Sequence, residues 1–187
     1  MRRVKCLHCL VLCLSLSGPA LLFAKDPVVT IDGEAFSKTF TAGSPSGDRL
    51  IELVREGESF GNWTKLVGFR YQQLPRIDND PIKFAGVMAQ LVKSSNPQAQ
   101  SRVIVNKDET EAIVDFITWQ PNAGYAEFNV FRCVRSKGGN AVVSLQFAHR
   151  LTDASAEGIE KFKRLRESWV SQAAAFDMNV VHSAFAQ

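Results

Sequence analysis

The chain has few of the residues that build chemical sites, and cysteine is the clearest case. Three of its four cysteines lie within the first 13 residues, and only Cys133 lies beyond them. A single thiol cannot form an internal disulfide, and it leaves no cysteine cluster for structural zinc. A lone cysteine in a strand is usually a small buried apolar residue, so we expect Cys133 to lie unreactive in the core.

Histidines, nucleophile motifs and phosphate loops are also scarce. Only His149 and His182 follow residue 24, and neither belongs to an H-x-x-x-H pair or lies beside an acidic cluster. No serine has G-x-S-x-G surroundings, and Gly138-Gly139 precedes no helix that could hold an anion. We therefore expect no cofactor, no metal and no catalytic residue, and we expect that the protein is not an enzyme.

The first 24 residues have the order of a secretory signal peptide. Basic residues come first, an apolar run over residues 6–16 follows, and helix breakers precede two small residues, Ala20 and Ala24. The apolar run is too short to span a bilayer. We expect cleavage after Ala24, with cleavage after Ala20 as the alternative, and release into the periplasm or the extracellular space.

Removal of this segment leaves a chain without net charge. The full chain has 22 basic and 19 acidic residues, and residues 1–24 contain three of the basic ones and none of the acidic ones. Subtracting three from 22 leaves 19 basic residues against 19 acidic ones. No long basic run remains, so nucleic-acid binding has no electrostatic support. No second apolar run approaches the roughly 20 residues of a membrane helix, so we expect no transmembrane anchor in the mature chain.

Hydrophobic periodicity predicts one α+β domain over residues 49–177. Residues 25–48 are typical of a partly ordered leader with one short strand, and residues 178–187 form a tail without clear period. Inside the domain, two strands precede a helix that begins at Asp80-Pro81. Four strands over 102–106, 111–119, 126–135 and 141–150 follow, and Thr152 or Asp153 caps a helix that reaches about residue 176. The order is ββ-α-ββββ-α, a sandwich-like antiparallel sheet with the long C-terminal helix packed on it.

One polar cluster depends on the register of the last strands. If Arg135 pairs with Ala141, Glu127 lies opposite His149. With a regular turn before residue 126 as well, one face would carry four polar residues: Asp115, Glu127, Asn129 and His149. A carboxylate beside a histidine can form an acid–base pair. Such a pair is also ordinary cross-strand stabilisation, and a shift of one residue would destroy the cluster.

Residues 55–74, REGESFGNWTKLVGFRYQQL, predict a hairpin. Trp63 has the parity of the inward residues in the second strand, so we expect it to anchor the core. Glu56 and Glu58 are expected to be solvated at the tip, and with Asn62 they form a candidate contact surface.

The same segment carries a resemblance. The pattern E-G-E-S-x-x-N-W-T-K, which follows a short signal and a strand, resembles small uncharacterised bacterial exported proteins; it consists of Glu56, Gly57, Glu58, Ser59, Asn62, Trp63, Thr64 and Lys65. The element order is similar to that of the PsbP/Mog1-like α/β sandwiches, whose members are mostly accessory, binding or assembly proteins without catalysis. The resemblance implies a binding role and supplies no functional residues.

Two functions agree with these observations. The first is a non-enzymatic, exported and periplasmic protein that binds another envelope or secreted protein or assists envelope assembly. The alternative is a binding protein for a small apolar ligand, held between the sheet and the C-terminal helix in a cavity lined by Phe131, Leu145, Phe147, Phe162 and Trp169. An enclosed apolar cavity would favour the ligand, and a filled core would favour the protein partner.

Overall fold

The structure, a computed structural model, describes residues 28–119, 124–153 and 155–186. It contains one eight-stranded antiparallel sheet in the order β1-β2-β3-β4-β8-β7-β6-β5. The strands are β1 (Val29–Ile31), β2 (Glu34–Gly43), β3 (Arg49–Arg55), β4 (Lys65–Gln72), β5 (Gln100–Val105), β6 (Glu111–Trp119), β7 (Ala126–Arg135) and β8 (Val142–Leu151). The helices are α1 (Pro81–Ser95), α2 (Ala156–Ala175) and α3 (Met178–Ala184), and a 3-10 turn at Pro75–Ile77 precedes α1.

Helices lie on both faces of the sheet. Face A packs against α2 and α3, with a core that includes Phe69, Phe128, Leu145, Phe147, Trp169 and Val181. Face B packs against α1, with a core that includes Phe84, Met88, Val92, Val114, Phe116, Phe131 and Cys133. The fold is therefore α+β, with an antiparallel sheet and a long C-terminal helix packed on it as the sequence predicted, and with α3 as a further C-terminal helix.

The first helix begins and ends where its sequence predicts. The Asp80 carboxylate accepts hydrogen bonds from the backbone N–H groups of Ile82 at 2.8 Å and Lys83 at 3.1 Å. These groups have no partner inside a helix, so the cap stabilises the first turn by about 1 kcal/mol. Its buried residues recur at the three- and four-residue spacing of one helix face, and the helix ends before Asn96.

Two elements were missed, so the order ββ-α-ββββ-α was incomplete. β2 falls in the predicted leader, and a register shift between Phe36 and Lys38 breaks its alternation. The shift places Phe36 on face A, where it is buried, and Phe40 on face B, where it is 45% exposed. Residues of the same parity in the sequence therefore lie on opposite faces, so the segment lacks the period-2 pattern of a regular strand. α3 falls in the predicted tail, where Asp177 caps a helix of seven residues.

The cap of α2 and the register of the last strands also differ from the prediction. Ser155, rather than Thr152 or Asp153, accepts a hydrogen bond from the first turn of α2. Arg135 pairs with Val142, one residue beyond the predicted Ala141. Within the described ranges, no helix has the length and apolar character needed to span a membrane.

Candidate binding surface on the sheet

The predicted polar cluster does not form, because the register is shifted by one residue. Glu127 pairs with Arg150 rather than lying opposite His149. Successive residues of a strand point to opposite faces, so the shift separates the four residues. Glu127 and Asn129 lie on face B, whereas Asp115 and His149 lie on face A.

Asp115 is a fully buried carboxylate that joins α2 to the sheet. It accepts hydrogen bonds at 2.9 Å from Nε of Arg102 on β5 and at 2.8 Å from Nε of Arg166 on α2. Nη2 of Arg166 donates to the same oxygen. Two guanidinium groups compensate one buried carboxylate, so Asp115 has a structural role here.

His149 lies under α2, and its ring stacks on the indole of Trp169. The ring centroids are 5.6 Å apart and the planes differ by 25°. Among the described residues, Nδ1 of His149 is buried without a hydrogen-bond partner. Burial, followed by the positive charge of Lys65, lowers the pKa of His149 to about 4. The imidazole is therefore neutral at pH 7.

A row of polar side chains crosses face B beside α1. Nε2 of Gln146 donates to Oδ1 of Asn129 at 2.8 Å, and Nη2 of Arg70 donates to Oε1 of Gln146 at 2.8 Å. Nη2 of Arg70 also lies 3.5 Å from Oε1 of Glu52. A Cβ on Gly68 would lie 2.9 Å from Oε1 of Gln146, so a larger residue would require the Gln146 side chain to move.

Burial opposes charge at the Glu52 end of the row. Each of the Glu52 and Arg70 side chains is only 12% exposed. Burial raises the pKa of Glu52 against the attraction of Arg70, and the negative charge of Glu127 raises it further. Burial also lowers the pKa of Arg70. Face B thus contains an ion pair at a position where most sheet faces carry apolar residues. The attraction between Glu52 and Arg70 offsets only part of the cost of burying their charges.

Aromatic residues flank the row. The guanidinium of Arg150 lies 4.0 Å from the ring centroid of Trp63 and 4.8 Å from that of Tyr125. At the Glu52 end of the row, the rings of Phe40 and Phe60 are 5.5 Å apart, and Phe60 packs against the cluster that contains Trp63. Cation–π pairs of this kind contribute about 0.5–2 kcal/mol.

The helix on face B covers only part of the sheet. α1 packs over β5, β6 and β7. Among the described residues, no helix packs over face B on β2, β3 and β4. We name this surface, together with the adjoining part of β8, the open half-face and define it by Phe40, Leu50, Glu52, Arg70 and Gln146. Phe40 is 45% exposed, whereas Gln146 is buried beneath the surface.

The tip between β3 and β4 borders the open half-face. Glu56 and Asn62 are exposed there, as predicted. Glu58 is not solvated as predicted, because its carboxylate accepts hydrogen bonds from Nη2 of Arg55 at 2.7 Å and from the backbone N–H of Thr64 at 3.0 Å. Burial alone would raise the pKa of Glu58, but hydrogen bonds from Arg55 and Thr64 outweigh it and lower the pKa to about 2.

Trp63 is buried as predicted, with 8% of its surface exposed, but on the other face. It packs against Val54, Leu66 and Ala148, which all lie on face B. The parity argument failed because Trp63 precedes the first residue of β4, so the regular alternation does not reach it.

The residues of the predicted apolar cavity do not share one space. Phe131 packs under α1 on face B, and Phe147 packs on face A. On face A, the rings of Phe147 and Trp169 meet edge to face at 5.8 Å, and those of Phe128 and Phe162 meet at 5.1 Å. Aromatic side chains therefore contact one another between the sheet and α2.

Cys133 lies where the sequence placed it, fully buried on face B and without a disulfide. Burial raises the pKa of this thiol to about 12. Because the thiolate is the reactive form, Cys133 is inert in the folded protein. Within the described ranges, no group of three or more histidine, cysteine or acidic residues could hold a metal ion.

These features define a mixed α/β protein with a central antiparallel sheet and one partly open sheet face. A protein-family model matches residues 23–178, and the chain belongs to that family, which is uncharacterised. No curated protein matches the chain.

Proposed function

We propose that the protein is an exported, non-enzymatic binding module of the cell envelope, and that it recognises another envelope or secreted protein through the open half-face. The signal-like order of residues 1–24 supports export. The proposal includes a sandwich-like arrangement similar to that of the PsbP/Mog1-like proteins. The accessory roles of those proteins agree with a binding surface on a sheet.

The observation that carries the proposal is the composition of the open half-face. The largely buried side chains of Arg70, Gln146 and Glu52 form its floor, and the half-exposed Phe40 lies at its side. Arginine and aromatic residues are enriched where proteins bind one another, and hydrogen-bonded polar groups fix the orientation of a partner. A sheet face without a second layer also leaves space for an element of another protein.

The tip enlarges this surface. Phe60 belongs to the tip and packs on Phe40 of β2, so both parts lie side by side. The exposed residues Glu56 and Asn62 then lie at the edge of the surface. The half-buried Glu58 fixes the shape of the tip and is not itself part of the contact.

Phe40→Glu tests the proposal, with Val180→Glu on α3 as the matched control. Both side chains are similarly exposed, at 45% and 41%, so each substitution should leave the fold intact. A protein captured from an envelope extract of the native host would be purified, and its dissociation constant measured by calorimetry. We expect Phe40→Glu to weaken binding at least tenfold and Val180→Glu to leave it unchanged. Equal affinities of both variants and the unaltered protein would refute the open half-face as the binding surface.

A further inference from the structure

His149 occupies the contact that joins the C-terminal helix to the middle of the sheet. It belongs to β8, pairs with Lys65 of β4 on one side and with Phe128 of β7 on the other, and stacks on Trp169 of α2. The indole N–H of Trp169 donates to Oδ2 of Asp32 at 2.7 Å. One stack therefore connects α2 to β8 and to the turn between β1 and β2.

The charged groups around His149 are already paired with one another. Lys65 and Arg55 both bind Glu34, with N–O distances of 2.5 and 2.7 Å. Asp32 accepts from Trp169, and Nε2 of Gln172 donates to its other oxygen at 2.6 Å. Burial lowers the pKa of His149 most, and the cations Lys65 and Arg55 lower it further. The carboxylates Glu34 and Asp32 raise the pKa without reversing the shift, and both are engaged with these other partners.

We propose that His149 is an acid-operated release for α2, whose protonation separates the part of this helix around Trp169 from the sheet. A proton on the buried Nδ1 creates a donor without an acceptor and a cation beside Lys65 and Arg55. Both costs disappear when the ring leaves its stack, because water can then solvate the imidazolium. The stack holds Trp169, so its loss loosens α2, whereas β4 and β8 keep their backbone pairing.

The way in which stability changes with pH follows from the neutral form of His149 in the folded protein. Its pKa is lowered in the folded protein, from an ordinary 6.5 to about 4. The stabilisation from the neutral ring is therefore complete above pH 6.5, and it is lost as the pH falls from 6.5 towards 4. The carboxylates of Asp32 and Glu34 lie near the imidazole, so the test must isolate His149.

The test places a thiol on the sheet-facing side of α2. Ala173 is fully buried there, and Ala173→Cys would be labelled with 4,4′-dithiodipyridine, which reacts with thiols in acid. Peptide mass spectrometry of the full chain assigns the label to each cysteine. Cys133 lies on face B under α1, so the same molecule reports opening of the opposite face. Val170→Cys, on the same helix, serves as a second probe if Ala173→Cys does not fold.

The labelling rate of the α2 thiol is divided by that of a free thiol at the same pH. We expect this ratio to be at least tenfold higher at pH 4 than at pH 7, with no such change at Cys133. The added substitution His149→Gln, which cannot take up a proton, should abolish this acceleration. The proposal is overturned by any of three results: no acceleration, equal acceleration at both thiols, or acceleration that persists with His149→Gln.

Discussion

At the scale of the residue, Glu58 shows how one carboxylate can determine the shape of a loop. Gly57 has a φ of +82°, a conformation that glycine adopts without strain, and it directs the next residue back towards β4. There the Glu58 carboxylate receives both the backbone N–H and the hydroxyl of Thr64. Part of the pattern E-G-E-S-x-x-N-W-T-K is thus explained by the geometry of the tip.

Glu58→Gln should lower the free energy of unfolding by about 1–3 kcal/mol, because charge-assisted hydrogen bonds from Arg55 and Thr64 are lost. The exposed Glu56→Gln, two residues away, should change it by about 0.5 kcal/mol or less. Urea unfolding at pH 7 measures both. The pKa of Glu58 is lowered from 4.5 to about 2, so its stabilisation is complete above pH 4.5 and is lost as the pH falls towards 2. A constant difference between Glu58→Gln and the unaltered protein over that range would contradict this assignment.

Trp63 tests whether the tip rests on a small core of its own. Trp63→Ala should cost about 3–5 kcal/mol, because it leaves a cavity beside Val54 and Leu66 and removes the ring beneath Arg150. Trp119 is 39% exposed, so Trp119→Ala should cost far less. Chemical denaturation of the two variants compares them, and equal midpoints would place Trp63 outside the core.

At the scale of the element, the attachment of α2 is polar as well as apolar. Nη1 of Arg132 donates to the backbone carbonyls of Ala173, Ala174 and Phe176, which lie at the C-terminal end of the helix. Near the middle of the helix, Arg166 binds Asp115. α2 is thus held at several points, so its release near His149 does not require the whole helix to detach.

Asp115→Ala should destabilise the protein by about 3–5 kcal/mol, because Arg166 would lose its partner in a partly buried position. Asp108→Ala, in the exposed turn between β5 and β6, is the matched control and should be nearly neutral. Thermal unfolding followed by circular dichroism gives both values. If the two variants melt together, the buried ion cluster adds little to the attachment of α2.

At the scale of the whole molecule, the sequence predicted what depends on local pattern. The strands of the last meander were placed within about two residues, because polar turns separate clear β-branched runs. The register of the last two strands was predicted wrongly. Ser136 and Ala141 close the turn by a hydrogen bond, so the strand pairing begins with Arg135 and Val142 instead of Arg135 and Ala141. The open half-face could not be predicted from the sequence. It depends on the pairing of β4 with β8, and no local pattern encodes the pairing of such distant segments.

The pairing of β4 with β8 has a consequence for the nascent chain. β1–β4 and β5–β8 are each a local meander, and among the described strands the two are joined in the sheet by the pairing of residues 65–72 with residues 142–149. The last strand to be synthesised thus fills the centre of the sheet. Until it leaves the ribosome, β4 and β7 each present an unpaired edge, which is a template for pairing with other chains. Closure of the sheet by such a distant contact is intrinsically slow.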